Sequence, residues 1–172
     1  SPYEFKLLYR GSRDGFAASK FHELCGSQSQ TVVVVKINQT ERIIGGYNPS
    51  IWSGNIYERL IGNIRESLIG NNSGICYGKD APDAFIFSIS GGNVKFSRSV
   101  SGNQIAYDPC QNTGPYFFND LFISDKCNQN ASSWYDPNYF RTPNISIWDK
   151  NTDKDSKYFK VDELEVFQII LI

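Results

Sequence analysis

Between Thr31 and Pro49 the chain reads TVVVVKINQTERIIGGYNP, and no other stretch limits the fold as tightly. Val32 to Val35 is an unbroken run of β-branched residues, the pattern of a strand buried on both faces. The polar stretch Asn38 to Glu41 turns the chain. Arg42, Ile43 and Ile44 resume an extended pattern that stops at Gly45-Gly46, where a Gly pair signals a bulge or a place where another backbone passes too close for a Cβ. Asn48-Pro49 ends the segment, because Pro lacks the N–H that a central ladder needs. The spacing predicts a β-hairpin at the centre of a sheet.

The flanks extend this pattern. Tyr3 to Tyr9 reads as a first strand. Ala17, Phe21, Leu24 and Cys25 form one apolar face of a short helix, with Asp14 expected as N-cap and Gly26 as the C′ residue. Ile56, Leu60, Ile64 and Leu68 recur every fourth residue and predict an amphipathic helix within 53–78. Asp83 to Ser90 alternates, Gly91-Gly92-Asn93 marks a turn, and Val94 to Val100 is the return strand. Gln104 to Tyr107 and Leu121 to Ser124 are shorter strands, separated by a turn-rich loop from Asp108 to Asn119. Cys127 to Lys157 is a long polar segment, expected to be packed by its aromatics or partly mobile. Phe159 to Ile169 is the last strand; Leu164 and Val166 share one face, Glu163 and Glu165 the other, with Asp162 opposite the two Glu residues. The closing Phe167 to Ile172 is too short to span a membrane and reads as a buried strand. Many strands in hairpin order with few helices define an α+β, mainly β fold of antiparallel sheets packed together.

A chain of 172 residues is long enough for one domain with a real core. The net charge of −1 and pI of 5.8 exclude a general attraction for nucleic acid or acidic membranes. There is no Met, and the chain opens at Ser1-Pro2 directly before a strand pattern, so we expect a domain cut from a longer protein. No signal-peptide layout is seen, and a cytoplasmic location is expected. Cys25, Cys76, Cys110 and Cys127 form no C-x-x-C pair and His22 is the lone His, so zinc is not expected and the thiols are expected to be reduced.

His22 and Cys25 are three apart on the first helix, the spacing at which a base and a nucleophile approach each other. Cys25 lies on the apolar face, so a buried inert thiol beside an exposed His is expected. Glu163 and Glu165 present neighbouring carboxylates, suited to an acidic partner-facing edge or, with split pKa values, to acid–base work. Asp149, Asn151, Asp153 and Asp155 alternate like the start of a calcium loop. Lys154 replaces the loop's Gly and Lys160 its bidentate Glu, so a hydrated linker is the expectation. Gly45-Gly46 and Gly91-Gly92 lack nucleotide-loop spacing. Trp134, Tyr135 and Tyr139 are aromatics positioned to pin the long loop or anchor a partner. Neither a metal nor a cofactor is expected.

In this order and spacing, FKLLYRGSRDGFAASKFHELC, TVVVVKI with RIIGGYNPSIW, DAFIFSI, NDLFISDKC and FKVDELEVFQI resemble the TLDc (TBC/LysM-associated) domain family over almost the whole chain. YRGSRDGF and GGYNP are most similar to TLDc domains of fungal and other microbial multidomain proteins, which often follow a BTB domain. The family usually passes from the Trp to the next strand through a shorter link, so 53–78 reads as a helical insertion. The resemblance implies a two-sheet antiparallel β-sandwich with flanking short helices. It implies a non-catalytic protein-binding module, linked to oxidative-stress resistance and to the vacuolar proton-pumping ATPase. Glu163 and Glu165, with Gly45 and Gly46 shaping the surface, are the expected partner-binding residues. The alternatives are an enzyme using Cys25 or the acidic pair, and a substrate-recognition module of a BTB-type ubiquitin-ligase adaptor.

Overall fold

Two six-stranded antiparallel sheets pack around one hydrophobic core in the computed structural model, which describes residues 2–52, 77–98, 104–107, 113–117, 120–135 and 158–172. The first sheet runs β1 (Tyr3–Arg10), β12 (Val161–Leu171), β2 (Thr31–Ile37), β3 (Ile43–Asn48), β5 (Phe85–Ser90), β6 (Asn93–Arg98). The second runs β11 (Tyr158–Phe159), β10 (Ser133–Tyr135), β9 (Leu121–Phe122), β8 (Tyr116–Phe117), β7 (Gln104–Tyr107), β4 (Tyr77–Asp80). Two helices, α1 (Gly11–Asp14) and α2 (Ala18–Cys25), follow β1. These are the packed antiparallel sheets that the strand pattern predicts, in the β-sandwich with short helices that the family resemblance implies.

The central hairpin is where the sequence places it, with two corrections. On β2 only Thr31, Val33, Val35 and Ile37 are buried, while Val32 and Val34 are half-exposed on the outward face. Gly45-Gly46 neither bulges nor ends the strand, since β3 keeps regular register with β2 and β5 through both residues. The close-approach reading of the Gly pair does hold: a Cβ on Gly45 would lie 2.0 Å from the Val33 carbonyl oxygen, and one on Gly46 2.6 Å from the Phe117 ring. Phe87 folds over Gly45 from outside and Phe117 over Gly46 from inside, so aromatic rings fill both hollows. The turn from β5 to β6 uses Gly91 (φ +55°) and Gly92 (φ +77°), the positive-φ pair of a two-residue hairpin loop.

Trp52 ties the layers together. It is buried edge-on against Phe21 of α2 at 5.3 Å and against Phe117 of β8 at 5.4 Å, and its Nε1–H donates to Thr31 Oγ1 at 2.8 Å. Phe21 in turn meets Tyr9 of β1 edge-on, and the Tyr9 hydroxyl donates to the Gly15 carbonyl at 2.7 Å. The α2 N-terminus differs from expectation. Ala17 precedes the helix without a side-chain cap, and the Ala18 N–H is taken by Asp125 Oδ1 at 2.8 Å, from a turn in the other sheet. Such a carboxylate cap typically contributes ~1 kcal/mol. Asp14 belongs to α1 instead, and Gly26 is right-handed (φ −54°), so it forms no left-handed cap.

The last strand differs in three respects. Phe159 lies in β11, so the chain crosses from one sheet to the other at Lys160. A register shift between Val161 and Glu163 then places Val161 in the core and turns Asp162 out to solvent, where Asn38 Nδ2 donates to its carboxylate. Strict alternation from Leu164 would have put Asp162 inside. Finally, Ile170, Leu171 and Ile172 are not buried; Leu171 is 70% exposed. The β2 ladder ends at Thr31–Gln168, followed by one bond from the Ile169 N–H to the Gln30 carbonyl, and beyond that bond β12 pairs with β1 alone as a two-stranded ribbon. The helix predicted from Ile56 to Leu68 lies outside the described residues, and Tyr77 and Gly78, assigned to that insertion, are strand residues of β4.

Candidate binding surface

Register fixes which side chains share the outward face of the first sheet. One row crosses it as Leu7, Phe167, Val32, Tyr47 and Phe85. The next runs Glu165, Val34, Gly45, Phe87 and Phe96, and the third Glu163, Lys36, Ile43, Ile89 and Val94. The apolar members of these rows are half-exposed, and Phe96 and Val94 are exposed. Tyr47 and Phe85 stack at 5.4 Å. Beside them, an open cleft of about 400 Å³ is lined by Tyr3, Phe5, Gln30, Tyr47, Ile169 and Leu171. A contiguous apolar face of this kind marks an interaction site more often than an ordinary solvated surface.

Charges rim this face where β12 passes α1. Arg10 Nε donates to Glu165 Oε1 at 2.6 Å. Glu163 Oε1 accepts the Ser12 N–H at the start of α1 and the N–H of Leu164, each at 3.0 Å. Asp14 accepts from the Arg13 guanidinium and from the Arg10 N–H, and these bonds, Arg13 first, hold its carboxyl down at about 2. Glu163 and Glu165 therefore sit side by side on the outward face, as the alternation predicts, but each already has a partner within the chain. That arrangement suits a preorganised charged rim better than a proton-transfer pair.

Gly45 shares the row of Glu165, two strands away at roughly 10 Å by strand spacing, whereas Gly46 is turned into the core beneath Phe117. Both glycines are buried and present no contact atoms of their own. Gly45 acts on the outward face through Phe87, whose ring lies over the space a Gly45 side chain would fill. The sequence pointed to Glu163, Glu165 and Gly45, and the structure brings these onto one face. It offered no sign of Arg10, because nothing local links Arg10 to a carboxylate 155 residues away.

His22 and Cys25 do not form a reactive pair. His22 is buried rather than exposed, with Nε2 donating to the Thr113 carbonyl at 2.7 Å and its ring edge-on to Phe21. Cys25 and Cys127 are buried free thiols, each pushed up to about 12 chiefly by burial. A thiol that stays protonated at neutral pH and has no solvent access is not a nucleophile. Both thiols are expected to resist alkylation at pH 8 in the native chain and to react in urea, as read by peptide mass mapping. Because unfolded thiols ionise near 9, their contribution to stability is complete below that pH and is lost as pH rises toward about 12. The urea midpoint should therefore fall above pH 9, and less steeply in a Cys25→Ala/Cys127→Ala variant; equal slopes would count against these burial-shifted thiols.

Trp134 stacks on Phe122 at 5.8 Å and meets Tyr116 edge-on, pinning β10 to the second sheet as expected of a loop aromatic. Tyr139, Cys76, Cys110 and the alternating residues Asp149 to Asp155 lie outside the described residues. Among the described residues no helix is long and apolar enough to cross a membrane.

The fold and surface together define an antiparallel β-sandwich in which the outward face of the first sheet carries aromatics beside a rim of paired charges. No curated protein matches the chain. The sequence model of the TLDc domain matches residues 1–170, and the chain belongs to that family.

Proposed function

We propose that this TLDc domain is a non-catalytic protein-binding module whose outward face on the first sheet receives the partner, with Glu163 and Glu165 at its charged rim. The observation that carries this reading is the run of half-exposed Val34, Tyr47, Phe85 and Phe87 and exposed Phe96 beside the Arg10–Glu165 ion pair. An apolar centre with a polar rim is the usual anatomy of a specific interface. In keeping with the family resemblance, the partner is the peripheral part of the vacuolar proton-pumping ATPase, met in the cytoplasm, and the physiological outcome is resistance to oxidative stress.

The test is direct binding to the purified peripheral sector of that ATPase. Glu165→Arg should weaken binding about tenfold or more. The exposed Arg10–Glu165 pair contributes at most ~1 kcal/mol to folding, so this variant stays folded. The double exchange Arg10→Glu/Glu165→Arg rebuilds the internal ion pair with its polarity inverted. If Glu165 meets the partner, the exchange restores thermal stability and leaves binding weak. Restored binding would show that the pair acts only through the fold. A wild-type domain that fails to bind the sector would remove this partner.

A further inference from the structure

We propose that the chain forms a two-fold symmetric homodimer by antiparallel pairing of its β1 edge, with Phe5 on the axis. Among the described residues β1 is the edge of the first sheet, with β12 on one side only. Its first half is open, with Tyr3 at 51% and Phe5 at 60% exposure, whereas α1 and α2 pack against its second half. The Ile172 N–H donates to the Pro2 carbonyl and the Ile169 N–H to the Gln30 carbonyl, which fixes the phase of the ladder. In antiparallel pairing the bonded positions alternate, so Glu4 and Lys6 direct their backbone groups to β12, while Tyr3, Phe5 and Leu7 direct theirs outward. An edge of this kind, with alternate groups aimed away from its sheet, is a template for another strand.

Charge selects the occupant and the register. Glu4 and Lys6 are exposed, and neither has an ion pair within the described structure. Three symmetric registers set these charges against one another. Centring the axis on Glu4 sets Glu4 against Glu4; centring it on Lys6 sets Lys6 against Lys6 and runs into Leu8, whose carbonyl already accepts from Arg13. Centring it on Phe5 sets Glu4 of each copy against Lys6 of the other. These fall at non-hydrogen-bonded positions, where Cα atoms approach to about 4.5 Å and side chains are closest. Tyr3 then exchanges backbone bonds with Leu7 of the second copy, and Phe5 with its own equivalent. The two first sheets become one continuous sheet, and the outward faces of the copies join across the axis.

Sedimentation equilibrium of the 172-residue chain tests this. The wild type should show a concentration-dependent monomer–dimer equilibrium. By symmetry, Glu4→Lys or Lys6→Glu alone turns both cross-axis pairs into like charges and should weaken association about tenfold. The exchange Glu4→Lys/Lys6→Glu restores opposite charges in both pairs and should recover the dimer. Amide exchange at Phe5 and Leu7 should slow with protein concentration in the wild type and not in Lys6→Glu. All three variants alter exposed side chains, and circular dichroism checks that they fold. A wild type that stays monomeric overturns the proposal, as does a dimer indifferent to either single variant or a double exchange that fails to restore association.

Discussion

Gly45→Ala is expected to destabilise the domain by about 3 kcal/mol or more, the upper range for overpacking a closed site. The added methyl would sit 2.0 Å from the Val33 carbonyl oxygen and 2.7 Å from the Phe87 ring. The ring has room to swing toward solvent; the carbonyl belongs to the paired β2 backbone and moves only if the central hairpin opens. For a chain of this length the loss corresponds to a melting temperature lowered by roughly 6–12 °C. Gly46→Ala meets the Phe117 ring at 2.6 Å and the Phe85 carbonyl at 2.9 Å, a milder backbone conflict, and should cost less than Gly45→Ala. A Gly45→Ala variant within ~1 kcal/mol of wild type, or an inverted order of the two variants, would contradict the backbone-contact explanation.

Trp52→Ala should cost ~4 kcal/mol or more, a large fraction of the stability a domain of this kind possesses. Two contributions add. The cavity strips Phe21 and Phe117 of their common neighbour, and Thr31, itself fully buried, loses the donor to its hydroxyl. Trp52→Phe separates them, since it retains most of the packing and removes the hydrogen bond, and should cost about half as much. Guanidinium unfolding followed by far-ultraviolet circular dichroism reads both. A loss below ~2 kcal/mol for the Ala variant would mean that α2 and the two sheets are held together by other contacts.

Strand length and composition made the first sheet legible. β5 alternates over six residues, β2 is marked by its continuous β-branched run, and Gly91-Gly92 announces its own turn. The second sheet was partly hidden. β7 and β9 were legible as short strands, but β8 and β11 have two residues each and β10 three, too few to display any period, so Tyr116-Phe117 read as loop and Ser133–Tyr135 as part of a polar excursion. Continuous apolar runs carry a second ambiguity. Val32 and Val34 satisfy a strand buried on both faces and equally a strand whose outward face stays apolar and half-open; sequence does not separate the two, and the second is the one that suggests binding. His22 misled for a related reason, because one carbonyl from a distant loop satisfies a ring nitrogen that polarity assigns to solvent. Asp125 capping α2 and Arg10 pairing Glu165 join positions 107 and 155 residues apart, distances over which no spacing rule reaches. The bulge at Asp162 reversed a side chain that strict alternation would have buried.

The ribbon of β1 and β12 has a mechanical consequence. Pro2 and Ile172 are hydrogen-bonded neighbours at its free tip, so the two ends of the chain leave the domain side by side. A pull applied through both ends loads the ladder from that tip inward, one bond at a time, the geometry of a zipper rather than of a shear joint. The first rungs to part are Pro2–Ile172 and Glu4–Ile170, which have no third strand behind them, whereas Arg10–Glu165 lies at the far end. Tension transmitted along such a chain would peel this edge at low force long before it disturbed the hairpin at the centre.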